Sequence, residues 1–243
     1  MLTLVATPIG NLGDLSPRAV EAFREADAIA CEDTRRTWAL LSHIGVPRPA
    51  DMISYRQGNE EKVGERVLGW LRGGRRVVLC SDGGCPSISD PGYRLVAAAA
   101  EEGLAMTVVP GASAAVTALM LSGLPSSSFT FKGFPPRKQG ALRAFFEEEA
   151  ESPHTLVVYE APYRVAPTLA AALATLGDRR AALCREMTKV HESVERGWLS
   201  ELVARHPDAD SVRGEVVLVI AGNHPKFRRD VPEAEASHNP PNP

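Results

Sequence analysis

The sequence is poor in the features that would tie it to a membrane, a metal or a disulfide framework. No stretch approaches the roughly 18 to 20 consecutive apolar residues of a membrane span. Met1 leads straight into the strand-like run LTLVA without a signal-peptide pattern. A cytosolic protein without membrane contact is therefore expected. Only four cysteines occur, Cys31, Cys80, Cys85 and Cys184. None belongs to a C-x-x-C pair or has histidine partners at ligand spacing, so neither a metal site nor a disulfide is expected. An excess of positive charge is missing too, with 27 Lys and Arg against 30 Asp and Glu. That excludes a protein gripping nucleic acid over its whole surface but leaves room for local basic patches. Three such patches stand out: Arg72, Arg75 and Arg76; Arg137, Lys138 and Arg143; and Lys226, Arg228 and Arg229.

Familiar ligand signatures are absent as well. Gly10-Asn-Leu-Gly13 is not G-x-G-x-x-G, and no Gly-Lys-Ser/Thr occurs, so neither a dinucleotide fingerprint nor a P-loop is written here. No serine sits in G-x-S-x-G, which removes the usual hydrolase elbow.

What is present is an alternation of apolar runs and amphipathic segments, in a chain of ordinary composition with 44% hydrophobic and 23% charged residues. Strands are predicted at 2–6, 28–31, 52–54, 76–80 and 106–109. Helices are predicted between them, the first opening with Ser16 as cap and Pro17 in the first turn. This spacing indicates parallel βαβ units, hence a doubly wound N-terminal sheet. Later strands at 128–134, 155–159, 181–186 and 214–221 are partly joined by short links, which favours a mixed sheet. The fold class is thus α/β, with an N-terminal domain over 1–112 and a C-terminal domain over 113–222. The proline-rich tail, 223–243, is expected to be poorly ordered.

Three glycine-bearing loops follow strands of the first domain: 7–14, 81–92 and 110–113. Glycine after a strand is ordinary turn chemistry, but three such loops in one parallel sheet converge on one crevice. The longest, SDGGCPSISDPG, allows close backbone approach through Gly83 and Gly84. Asp90 in it is predicted to cap a helix opening at Pro91. What these residues indicate is a small polar ligand read largely by backbone.

Eight segments sharpen the reading: ATPIGNLGDLSPRA, CEDTRRT, SDGGCPSISDPGYRLV, VPGASAAVTALMLSGLP, FKGFPPRK, YEAPYR, REMTKVHE and RGEVVLVI. In this order they resemble the tetrapyrrole methylase superfamily over roughly residues 2–222. Within it they are similar to the branch that 2′-O-methylates a cytidine ribose of 16S rRNA in the 30S subunit. The resemblance implies S-adenosylmethionine held in a cleft between two α/β domains of a homodimer. It places Leu12, Gly13, Asp14, Gly83, Gly84, Cys85, Ile88, Ser113, Ala114, Glu160 and Met187 at the cofactor. Asp33 matches a proton acceptor of tetrapyrrole-modifying relatives, and it reads equally well as a helix cap. Arg35, Arg137, Lys138, Arg164 and Lys189 are candidates for RNA phosphates, or ordinary surface charges. Methylation of a tetrapyrrole-type small molecule on the same fold is the alternative activity. The sequence departs from the rRNA branch at Cys85, Tyr163 and Ala112, where threonine, histidine and proline are more usual.

Overall fold

Five four-residue strands build the first sheet of this computed structural model, which describes residues 1–229. They are β1 (Leu2–Val5), β2 (Ala28–Cys31), β3 (Asp51–Ser54), β4 (Val77–Cys80) and β5 (Met106–Val109). All neighbours are parallel, in the order β3-β2-β4-β1-β5. Ala-Ile-Ala-Cys and Val-Val-Leu-Cys show no polar alternation because β2 and β4 are buried throughout.

Four helices cover the sheet: α1 (Pro17–Glu25), α2 (Thr34–His43), α3 (Glu60–Arg72) and α4 (Tyr93–Glu101). Ala19, Phe23 and Leu41 of α1 and α2 pack with Val5, Ile29, Cys31 and Val78. Val67, Leu71, Leu95 and Ala99 of α3 and α4 pack with Leu2, Ala30, Val77 and Leu79. These sets alternate along the strands, so the two helix pairs lie on opposite faces. The chain leaves β1 in one direction and β4 in the other, and the two strands are neighbours. Their carboxyl ends therefore form the topological switch point.

The predicted first cap is in place, with Ser16 Oγ accepting from Ala19 N–H at 3.2 Å and Pro17 in the first turn. The predicted cap on the fourth helix is not. That helix opens at Tyr93 behind Gly92, whose φ of 145° puts an untenanted turn between Asp90 and the first helical residue. The Asp90 carboxyl lies half-buried near the Ser81 hydroxyl instead.

The helix α5 (Ala114–Ser122) carries the division between the two units into which the chain separates: 1–117 with 188–190, and 118–187 with the described residues from 191 on. The second unit contains β6 (Phe129–Phe131), α6 (Gln139–Glu147), β7 (Thr155–Glu160), α7 (Val165–Leu176), β8 (Asp178–Arg185), β9 (Ser193–Trp198), α8 (Leu199–Arg205), β10 (Val216–Ile220) and β11 (Arg228–Arg229). Its sheet is mixed: β6 and β7 are parallel, whereas β10 lies antiparallel between β7 and β8. One core joins Phe146, Leu169, Leu183, Leu199, Leu202 and Leu218.

Two elements were not foreseen from the pattern. The strand β9, Ser-Val-Glu-Arg-Gly-Trp, is largely polar, and α8 has seven residues with Leu199 and Leu202 as its buried pair. The start of the tail is also ordered: residues 225–227 form a short 3₁₀ turn and β11 pairs with the start of β8. The reason is Asp178, whose fully buried carboxylate accepts from Arg229 Nε at 2.7 Å and from Ser200 at 2.7 and 2.9 Å. The rest of the predicted disordered tail, 230–243, lies outside the described residues.

Candidate functional site

Thr7 follows β1 and Gly84 follows β4, and their backbones form an isolated antiparallel bridge. Thr7 N–H donates to Gly84 O at 2.9 Å, and Gly84 N–H returns a bond to Thr7 O at 3.0 Å. Thr7 Oγ1 donates to Ser81 O, and Ser81 Oγ to Gly84 O, at 3.1 and 3.2 Å. The two loops at the switch point are thus zipped together by groups that are themselves buried. Gly84 sits at φ 95°, and a Cβ there would lie 3.5 Å from Ile9 Cγ2. The third loop joins them: Cys85 Sγ donates to Ala112 O at 3.4 Å, and Gly111 approaches so closely that a Cβ would stand 3.0 Å from Ala6 Cβ.

The first-unit residues drawn from the resemblance gather on these loops. Leu12, Gly13 and Asp14 form a short 3₁₀ turn capped by Asn11, whose Oδ1 accepts from Gly13 N–H at 2.9 Å. Leu12 and Ile88 are 45% and 47% exposed, an apolar side chain offered by each of the two zipped loops. Gly83 is exposed, Cys85 is half-buried, and Ser113 with Ala114 opens α5, the Ser113 carbonyl accepting from Thr117 N–H at 2.9 Å. Ser87 and Ser89 hold left-handed backbone at φ 70° and 62°, a strained conformation for residues with a side chain. Exposed backbone, glycines and two apolar side chains thus stand on neighbouring loops at the carboxyl ends of β1 and β4.

Carboxylates line the adjacent strand ends. Asp33 caps α2, accepting from Arg35 N–H at 2.8 Å, and its carboxylate also accepts from Arg35 Nε and Nη2 at 3.1 and 2.6 Å. The Arg35 guanidinium holds that carboxyl well below the usual carboxylate range. Asp33 N–H donates in turn to Asp82 Oδ1 at 3.0 Å, and Arg36 lies 3.5 Å from Asp82 Oδ2. Burial pushes Asp90 up to about 6, helped by the nearby charge of Glu32, and Glu32 itself is raised by burial and by Asp82. Thr7, Ser81, Asp82 and Asp90 were not singled out as site residues in the sequence. For Thr7 and Ser81 the available signal was a polar residue directly after a predicted strand; Asp82 and Asp90 had only their place in the glycine-bearing loop.

The remaining predicted residues fall elsewhere. Glu160 and Met187 belong to the second unit, and both are buried there. Arg164 is spent on architecture: its guanidinium donates to Pro135 O and Pro136 O at 3.1 and 2.8 Å and lies 3.6 Å from Glu160. Arg137 and Lys138 are exposed at the start of α6, Lys189 is half-buried in the segment that groups with the first unit, and Arg35 is 89% exposed while paired with Asp33. Among the described residues no group of three or more His, Cys, Asp or Glu is placed to hold a metal, and no helix is long and apolar enough to cross a membrane.

A parallel sheet whose loops are zipped together at its switch point, followed by a mixed second sheet, defines a two-unit α/β protein. Residues 1–203 match the family model of the tetrapyrrole (corrin/porphyrin) methylases, and the chain belongs to that family. It is 47% identical over 225 residues to ribosomal RNA small subunit methyltransferase I of Halalkalibacterium halodurans, covering 93% of this chain and 77% of that protein. It is 45% identical to the protein of the same name from Micromonospora olivasterospora, covering 98% and 73%. Among solved structures, the methyltransferase CobJ matches with a TM-score of 0.67 over 91% of this chain and 94% of its own. Diphthine synthase matches with a TM-score of 0.66 over 91% and 90%. Both are 18% identical, so that likeness carries the fold alone.

Proposed function

We propose that this chain is an S-adenosylmethionine-dependent methyltransferase that 2′-O-methylates a cytidine ribose of 16S rRNA in the 30S subunit. The observation that carries the reading is the identity of 45 to 47%, over more than nine-tenths of the chain, to relatives named for small-subunit rRNA methylation.

The donor, when bound, supplies a methyl group on a positively charged sulfonium. Leu12 and Ile88 cover its apolar parts, the backbone at Gly13, Gly83, Gly84 and Cys85 lets it approach closely, and Ser113 with Ala114 offers donors at the start of α5. Asp14, exposed on the same loop, adds negative charge opposite the cation. A new O–C bond forms at the ribose 2′-oxygen as the C–S bond breaks, and the hydroxyl proton must leave. Because charge is discharged in this step, positioning supplies most of the acceleration.

Asp33 takes the proton. In the structure its carboxylate is occupied by Arg35, which keeps it a weak base. An RNA phosphate drawing the exposed Arg35 guanidinium away would free the carboxylate and raise its basicity at the moment substrate arrives. Arg137 and Lys138 contact phosphate as well. A net charge of -3 makes free RNA a poorer ligand than an assembled subunit, whose shape offers further contacts; the cations of the 72–76 patch are already paired with Glu25, Asp27, Asp51, Glu65 and Glu102. The protein works as a homodimer in the cytoplasm. The edge strand β5 leaves Met106 and Val108 37% and 57% exposed, an apolar edge suited to a second copy.

The deciding experiment incubates the protein and labelled S-adenosylmethionine with undermodified 30S subunits and maps the ribose methyl. Transfer to a cytidine 2′-oxygen supports the reading, and absence of transfer to RNA ends it.

A further inference from the structure

The loop after β6 exposes an aromatic ring that the fold of the second unit does nothing to cover. Phe134 is 59% exposed, and Tyr163, in the turn after β7, is 57% exposed. The outer ring is not loose. Phe134 meets Tyr159 edge-on at 5.5 Å, and Tyr159 meets Phe131 in the same way at 4.9 Å, so the exposed ring rests on an aromatic base. Lys132 N–H to Val157 O at 3.2 Å and Tyr159 N–H to Gly133 O at 2.9 Å carry the β6–β7 pairing out into the loop.

A buried polar chain ties the two exposed aromatics' segments together. Thr168 Oγ1 donates to Glu160 at 2.5 Å, Ala161 N–H donates to the same carboxylate at 2.8 Å, and Glu160 faces Arg164. Arg164 bonds the carbonyls of Pro135 and Pro136. The residue after Tyr163 thus grips the two residues after Phe134. The prolines restrict the loop further by fixing their own φ.

Charge tells what the patch receives. The segment 131–140 holds three cations and no carboxylate. Lys132 is engaged by Glu148 and Glu149, but Arg137 and Lys138 are exposed and form no ion pair among the described residues. Rigid exposed aromatics beside unpaired cations match the bases and phosphates of unpaired RNA. An apolar protein surface would leave those cations unmatched.

We propose that Phe134 and Tyr163 stack on unpaired nucleotides of the RNA substrate, while Arg137 and Lys138 take the adjoining phosphates and the Thr168–Glu160–Arg164 chain holds the platform rigid. This rests on the rRNA reading above. The test is steady-state methylation of undermodified 30S subunits by Phe134→Ala, Tyr163→Ala and Phe134→Trp, with donor affinity measured by calorimetry and oligomeric state by light scattering. Each alanine variant should raise KM for the subunit about 5- to 150-fold, the range for losing one base stack. Donor affinity and the rate at saturating subunit should stay within about twofold, and Phe134→Trp should restore KM. An unchanged KM in both alanine variants overturns the platform and leaves the methyltransferase reading standing. A changed oligomeric state also overturns it, by making the patch a contact between copies. If the unaltered protein transfers no methyl to RNA, both readings fall together.

Discussion

Thr7 and Gly84 exchange both backbone hydrogen bonds across the carboxyl ends of β1 and β4, at 2.9 and 3.0 Å. Each lies one or more residues past the end of its strand, so the bridge is separate from the parallel ladder and runs in the opposite sense. It closes the switch point with buried backbone groups that water cannot reach, and the loops on either side keep a fixed shape before any ligand arrives.

Gly84→Val should open that closure. A φ of 95° is strained for any residue with a Cβ, and the valine methyls would extend from a Cβ already in van der Waals contact with Ile9. The strain costs about 1 to 3 kcal/mol, which the loop relieves by giving up the bridge. Binding of S-adenosylmethionine, followed by calorimetry, should weaken at least about tenfold. Far-ultraviolet circular dichroism should be unchanged, because the strand core is elsewhere. Full affinity would show that the bridge does not shape the site.

Asp90 gives a pH signature. Its folded pKa of about 6 lies above the ordinary carboxylate value because burial disfavours the charged form. The folded chain therefore holds the Asp90 proton more tightly than the unfolded one. Stability from this residue is complete below the ordinary carboxylate range and is lost as pH rises through about 6. Asp90→Asn removes the charge at nearly the same size. Its melting temperature should exceed that of the unaltered chain at pH 8, with the gap closing by pH 4. A constant difference across that range would assign the effect to something other than titration.

Asp33→Asn separates cap from base. Asparagine caps a helix as well as aspartate does, so thermal stability and donor affinity should hold. Turnover on 30S subunits should fall by about 100-fold or more, the usual worth of a general base. Full turnover would leave Asp33 with its capping role alone. Arg35→Ala supplies the companion measurement: with its main partner gone, the Asp33 carboxyl should titrate closer to the ordinary range in side-chain NMR.

Thiol chemistry reads the third loop directly. Cys31, Cys80 and Cys184 are buried, and burial pushes the Cys31 and Cys184 thiols up to about 11 and Cys80 higher still. Cys85 is half-buried and only modestly raised in the same direction. Alkylation near pH 8 should label Cys85 first, and S-adenosylmethionine should slow that labelling. Labelling at an unchanged rate under saturating donor would place Cys85 outside the donor site.

Much of this protein was legible from local chemistry. Ser16-Pro17 announced α1, continuous apolar runs such as Val77–Cys80 announced buried strands, and glycines after those strands marked the loops of the crevice. Each signal depends on a few consecutive residues, because helix capping, strand burial and turn conformation are set by near neighbours. The same locality explains the misses. Asp90 looks like a cap because of the proline that follows, yet Gly92 takes the cap position and the helix opens only at Tyr93. Arg164 reads in sequence as a phosphate contact or an ordinary surface charge, and its bonds to the carbonyls of Pro135 and Pro136 appear only in the fold. Arg229 looks like part of a loose tail, yet Asp178 is buried 51 residues before it and needs a cation.

By itself, then, the order of residues determined the alternation of strands and helices, the three loops and the family motifs. Only the tertiary structure decided which polar groups are spent within the fold, as Arg164 and Asp178 are, and which side chains stay outside, as Phe134, Arg137 and Lys138 do. The reason is that a buried charge must find a partner wherever the fold brings one, and sequence distance carries no record of that meeting.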